Sequence, residues 1–219
     1  MPLFGAWHLG LLAAILGAAF LLAWLCRRGW LPARALRLAR GCGLALNELV
    51  WWVFRYSREG IHLPNLPLQL CDAAVWAAVL ACLTLRPLIV EAAYFWGLAG
   101  AGMAVLTPDL HFAWPSYPAL YFFLAHGGVI VAAAVLVFGG IVPLRPGAVW
   151  RAFGMLLIYA AAVGVFNAAA GTNYMYLCRK PGNASLLDAL GPWPLYLFAG
   201  AAVTLALFSL LSLLPAKSR

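Results

Sequence analysis

The chain has 219 residues, of which 66% are hydrophobic and 9% charged, and its mean hydropathy is +0.94. A soluble domain keeps roughly 25% charged residues to cover its surface, so this composition excludes one and makes the chain a polytopic membrane protein. The net charge of +8 does not make it a nucleic-acid binder, because the charges sit in short loops between apolar runs, where membrane topology accounts for them.

A bilayer core of ~30 Å takes about 20 apolar residues of helix. Seven segments qualify, roughly 8–26, 40–57, 68–85, 88–106, 117–142, 149–169 and 193–214, with Pro and Gly marking the gaps. Runs of this length are helices and not barrel strands. No hydrophilic stretch is long enough for a separate soluble domain, so the expected fold is all-α: a single seven-helix membrane domain over 1–219.

Met1 to His8 lack Lys and Arg, and the basic cluster follows the first apolar run, which suits an uncleaved first helix entering with its N-terminus outside. That orientation leaves Arg27, Arg28, Arg34, Arg37, Arg40, Arg86, Arg145, Arg151, Lys217 and Arg219 in the cytoplasm. Outside it leaves Arg55, Arg58, Arg179 and Lys180. The balance obeys the positive-inside rule and predicts N-out, C-in.

This topology gathers the unusual residues at the outer face. LPLQLCDAAVW puts Gln69, Cys71 and Asp72 within one helical turn. Asp109, His111 and Trp114 follow segment four, and His126 lies in the AHGG of segment five. Segment six ends at Asn167, before the loop GTNYMYLCRKPGNASLLDALGPWP.

Cys71 and His126 are the natural nucleophile and base. A free thiol with a pKa of about 8.5 is a weak nucleophile at neutral pH, and an adjacent imidazole can take its proton. Cys71 lies ~6 Å and His126 ~14 Å along their segments. Segment five spans 26 residues, ~39 Å, so its projection beyond the ~30 Å core would bring the two level. Gly127 and Gly128 beside the histidine leave room for a substrate chain or a neighbouring helix. The plainer alternative is a small apolar Cys and a structural His bonded to a carbonyl.

Two carboxylates lie in the apolar segments, where each costs about 2.5–3.5 kcal/mol on insertion scales and calls for a partner. Glu48 reads as an interhelical hydrogen-bonding or proton-handling group. Asp72 can orient a histidine, hold the mouth of the segment together, or bind Arg58. In the late loop, Asn173, Tyr174, Arg179, Lys180 and Trp193 suit a phosphate headgroup or an ordered interfacial cap.

Five cysteines, Cys26, Cys42, Cys71, Cys82 and Cys178, contain no CxxC pair. A disulfide between Cys178 and Cys71 would abolish the nucleophile. His62, His111, His126, Asp72 and Asp109 share the outer side as candidate zinc ligands, without an HxxxH or HExxH spacing to support them. The expectation is no metal and no cofactor.

LPLQLCD, AYFWGLAG with LTPDL, AHGG, GTNYMYLCRKP and GPWPLY together resemble the YwaF-like (transmembrane protein 164) family over nearly the whole chain after Pro64. The resemblance implies a seven-helix protein related to the membrane hydrolases that include androgen-induced protein 1. From the animal branch it implies an acyltransferase that remodels ether phospholipids through a cysteine, which here is Cys71 with His126 as its partner. Asn173 and Tyr174 fall in the matching loop. One departure is Gln69, which stands where the family motif has His and removes a second imidazole.

The resulting expectation is a membrane-embedded phospholipid acyltransferase, transacylase or lipase-like hydrolase. Cys71 and His126 would be catalytic, supported by Asp72, Gln69, Asn173, Tyr174, Arg179, Lys180 and Asn167. Its partners would be phospholipid or another acyl lipid and the bilayer, with no nucleic acid, in a bacterial inner membrane with the site facing outward. The alternatives are a non-enzymatic transporter or flippase and, third, a metal-dependent lipid hydrolase.

Overall fold

The computed structural model describes residues 3–108, 110, 112–182 and 185–214, and every regular element among them is helical. In chain order these are α1 (Ala6–Arg27), α2 (Ala33–Glu59), α3 (Leu70–Thr84) and α4 (Pro87–Trp96). A π-helical turn at Gly97–Ala101 carries α4 into α5 (Gly102–Leu106), and α6 (Tyr117–Val137), α7 (Ala148–Ala170) and α8 (Leu195–Leu211) follow. Proline sets several starts: Pro32 caps α2, and Pro87 and Pro118 occupy the first turns of α4 and α6, where a missing N–H costs nothing. Gly171 ends α7 with φ of 66°, a left-handed conformation that a Cβ would penalise.

The seven apolar segments are not physically equivalent. Among the described residues four helices are long and apolar enough to cross a membrane: α1, the continuous Pro87–Leu106 helix, α6 and α7. α3 and α8 are apolar but have 15 and 17 residues. α2 runs for 27 residues, beginning at Ala33 where the apolar run suggested 40, and so takes in Arg34, Arg37 and Arg40. The extra turns have a use. Arg37 Nη1 donates to the carbonyls of Cys82 (2.6 Å) and Leu83 (3.1 Å), which at the end of α3 lack an intrahelical donor.

α6 is the axis of the bundle, buried almost continuously from Ala125 to Val137, with α1, α2, α3 and the π turn packed around it. Glycine allows the approach. A Cβ on Gly128 would lie 2.6 Å from Leu44 of α2, one on Gly127 2.7 Å from Ile15 of α1, and one on Gly97 2.6 Å from Val129. Of the two uses open to Gly127 and Gly128, both glycines serve a neighbouring helix, α1 and α2 respectively. α6 also stops at Val137, before the turn that contains Gly139 and Gly140, giving 21 residues or ~32 Å. At that length α6 exceeds a ~30 Å core by only ~2 Å, where the 26 residues of segment five implied ~9 Å.

Polar pins hold the end of the bundle away from Cys71. Glu91, 1% exposed, accepts from Arg145 Nε (2.9 Å) and Nη2 (3.0 Å) and from Arg151 Nε (2.8 Å) and Nη2 (2.7 Å). Two guanidinium forks thus satisfy one buried carboxylate. At the other end His8, fully buried, bonds Val105 O through Nε2 (2.7 Å) and accepts from Phe4 N–H at Nδ1 (2.9 Å).

Candidate functional site

Cys71 and Asp72 occupy the first turn of α3, and Gln69 is its N-cap residue. Asp72 Oδ2 accepts from the Gln69 N–H at 2.9 Å, so of its three possible roles the one that forms a bond here is holding the mouth together. Arg58 lies instead over the Phe54 ring, 4.2 Å from its centroid. Gln69 Oε1 accepts from Met175 N–H at 2.9 Å, tying the start of α3 to the late loop.

Beneath Cys71 lies a pair that joins two helices. Tyr121 of α6 donates to Glu48 Oε2 of α2 at 2.8 Å, and Trp51 stacks on the Tyr121 ring at 4.3 Å. Glu48 is 0% exposed, and its Oε1 has no hydrogen-bond partner among the described residues; neither does the buried Trp76 Nε1. Glu48, Asp72 and Cys71 all lie close enough to act electrostatically on the Tyr121 hydroxyl. The Tyr121–Glu48 pair of α6 and α2 and the Asp72–Gln69 pair at the start of α3 are neighbours, with no hydrogen bond between them among the described residues.

His126 stands apart from both. Its Nδ1–H donates to Phe122 O at 2.8 Å, its ring packs on Phe122 at 4.2 Å, and its buried Nε2 has no partner among the described residues. Neither ring nitrogen bonds Cys71. Two geometric facts explain the separation. With so little projection of α6, nine residues still place His126 ~14 Å along the helix, and five positions beyond Tyr121 turn its side chain ~140° around the axis.

The late loop is tied down by its own polar groups. Asn167 donates to Tyr174 O (2.9 Å) and accepts from Thr172 Oγ1 (2.8 Å) and Tyr174 N–H (2.9 Å). Asn173 donates to Arg179 O and accepts from the Cys178 and Arg179 N–H groups, which occupies its amide within the loop. Tyr174 OH accepts from Leu66 N–H (2.7 Å) and donates to Leu63 O (2.5 Å). Burial pushes this phenol above its ordinary range, so it stays protonated and able to donate. Lys180 Nζ lies 3.6 Å from Asp188, and Arg179 is exposed. All five cysteines are free, so Cys71 and Cys178 are not bridged.

His62 bonds Glu59 O through Nε2 at 2.6 Å. His111 and Asp109 fall outside the described residues, among which no group of three His, Cys, Asp or Glu is arranged to hold a metal. Sequence reasoning missed Tyr121, Trp76 and Glu91. Tyr121 carried a usable signal, since it sits seven residues before Gly128 and so on the same helical face.

A bundle whose described elements are all helical, four of them long and apolar enough to cross a membrane, defines a membrane protein. The chain belongs to the TMEM164 family, whose model matches residues 3–212. It is 32% identical over 160 residues to an uncharacterized protein of Treponema pallidum (strain Nichols), a match covering 70% of this chain and 64% of that protein. The chain therefore spans less than two thirds of that relative's length. No solved structure matches.

Proposed function

We propose that the chain is a membrane-embedded acyltransferase acting on phospholipid, with Cys71 as its nucleophile. The observation that carries the reading is Cys71 in the first turn of α3, with Asp72 next to it and the start of the helix tied to the late loop through Gln69. The resemblance of LPLQLCD to the family's cysteine motif adds support.

Cys71 Sγ attacks the carbonyl of an acyl ester, forming a thioester as the ester C–O bond breaks. The thiol proton passes to a neighbouring base and then to the departing alkoxide. An acceptor hydroxyl next attacks the thioester and returns a proton to the sulfur. The first-turn N–H groups of α3 lie beside Cys71, where the helix dipole offsets part of the cost of a developing negative charge. Those amides also serve the oxyanion better than Asn173, whose side chain is occupied. Proton transfer falls first to the carboxylates of Asp72 and Glu48, the latter bonded to Tyr121. His126 is the second base, with a free Nε2 but no bond to the thiol. Arg179 and Lys180 supply counter-charge for a phosphate headgroup.

In this reading the helices make seven crossings, with α4–α5 as one of them, N-out and C-in, in a bacterial inner membrane. The site then faces outward, beyond reach of cytoplasmic acyl-CoA, so the donor is another lipid and the enzyme is a transacylase. The test is transfer of a labelled acyl chain between phospholipid and lysophospholipid in proteoliposomes. Cys71→Ala should abolish transfer while preserving helicity; transfer at the parental rate in that variant rejects the reading. Solute flux without acyl transfer would instead favour a transporter.

A further inference from the structure

Between α1, α5, α6 and α8 lies a cavity of about 640 Å³ that none of Cys71, Asp72, Tyr121 and Glu48 lines. Its volume falls in the ~300–1,000 Å³ range of pockets that enclose small ligands. Along α1 the lining runs from Leu12 to Arg27, ~22 Å of helix. That is longer than the ~15 Å half-thickness of a bilayer core. Phe20, Leu98, Val105 and Ile130 are typical of its walls, and an apolar surface of this kind does not hold water.

The lining has one charged residue, Arg27, at one end. Only one of its five donors has a protein partner among the described residues: Nη1 meets Phe138 O at 3.4 Å, the outer limit for such a bond. Beside it Arg28 lies 5.7 Å above the Trp24 ring, and Trp24 meets Trp30 edge-on at 5.0 Å. Paired arginines and tryptophans at a helix end match the chemistry of the headgroup layer. A guanidinium there complements a phosphate in charge and in geometry.

We infer that this groove is a second lipid site, holding one acyl chain of an anionic phospholipid whose phosphate is bound by Arg27. It is separate from Cys71, and the lipid in it is a resident, not the acyl donor. A second protein copy would need no cation at one end of an apolar furrow, whereas a lipid with a charged headgroup does.

The test is native mass spectrometry of the full chain in detergent, titrated with dioleoylphosphatidylglycerol or dioleoylphosphatidylcholine. Both lipids carry a phosphate but only the first has a net negative headgroup, so the parental protein should retain it about five-fold better, the size of effect expected for one cation near an anionic headgroup. Arg27→Gln should bring the two lipids close to parity. Gly102 lines the groove, and a Cβ there meets nothing within 4 Å, so Gly102→Leu fills the space without a clash and should lower retention of both lipids. Gly10→Leu, also in open space but outside the lining, should leave retention unchanged and controls for folding. Equal retention of both lipids by the parental protein, an undiminished preference in Arg27→Gln, or a lipid-free dimer would overturn the inference.

Discussion

Glu48 is fully buried, so its carboxylate depends on the Tyr121 hydroxyl. Tyr121→Phe leaves the second carboxylate oxygen of a fully buried acid without a donor, at a cost of ~1–3 kcal/mol in thermal or denaturant unfolding. Combining it with Glu48→Leu should recover most of that loss, because replacing both partners removes the unpaired group. Undiminished stability in the single variant would mean that the bond contributes nothing. The proposed chemistry makes a second, kinetic prediction at the same residues. Glu48→Gln should lower acyl transfer by ~100-fold, typical of a group that handles the proton, and His126→Gln by less than ~10-fold. The reverse order would return the base to the histidine. Nothing in the linear order of residues distinguishes these cases: the 3.6-residue turn that sets Tyr121 towards α2 carries His126 away from it.

At the scale of elements, α6 is held by contacts that leave no room for growth. Gly128→Val should destabilise the bundle by ~1–3 kcal/mol, since its Cβ starts 2.6 Å from Leu44 Cδ2 and the Leu44 side chain must repack to accept it. Gly10→Val, a glycine in open space, should be close to neutral, and a common melting temperature for the two would refute the close-packing account. At the other end, Glu91→Gln should cost roughly 2 kcal/mol. That is less than the 3–5 kcal/mol of a fully buried pair, because the Arg145 and Arg151 side chains keep 44% and 35% of their surface exposed. These elements explain what was legible in the chain. Long apolar runs gave α1, the α4–α5 helix, α6 and α7 within a few residues at most ends, since length and hydropathy act directly on the backbone. α2 was read short because its first turns are basic, and Arg37 within them caps the end of α3. The end of α6 was overrun because Phe138 to Val142 stay apolar while the backbone turns.

For the whole molecule, the grouping of Gln69, Asp72, Asn167, Asn173 and Tyr174 at one end could be read from alternation of the segments, and the helices do bring these residues to the same end. Their partners could not, because most bond to backbone groups that no side-chain pattern reveals. The orientation of that end is tested with Cys178, which is free and exposed on the loop. In intact cells a membrane-impermeant maleimide should label Cys178, with the label lost in Cys178→Ser, whereas Lys217→Cys should react only after permeabilisation. The opposite pattern would invert the topology and make cytoplasmic acyl-CoA an accessible donor.

The most direct measurement is mass spectrometry of the peptide bearing Cys71 after proteoliposomes are incubated with acyl-labelled phospholipid and no acceptor. A hydroxylamine-labile acyl thioester on Cys71, absent from Cys71→Ala, is the predicted result. Continued acyl transfer with Cys71 unmodified, or transfer surviving its substitution, would contradict the account.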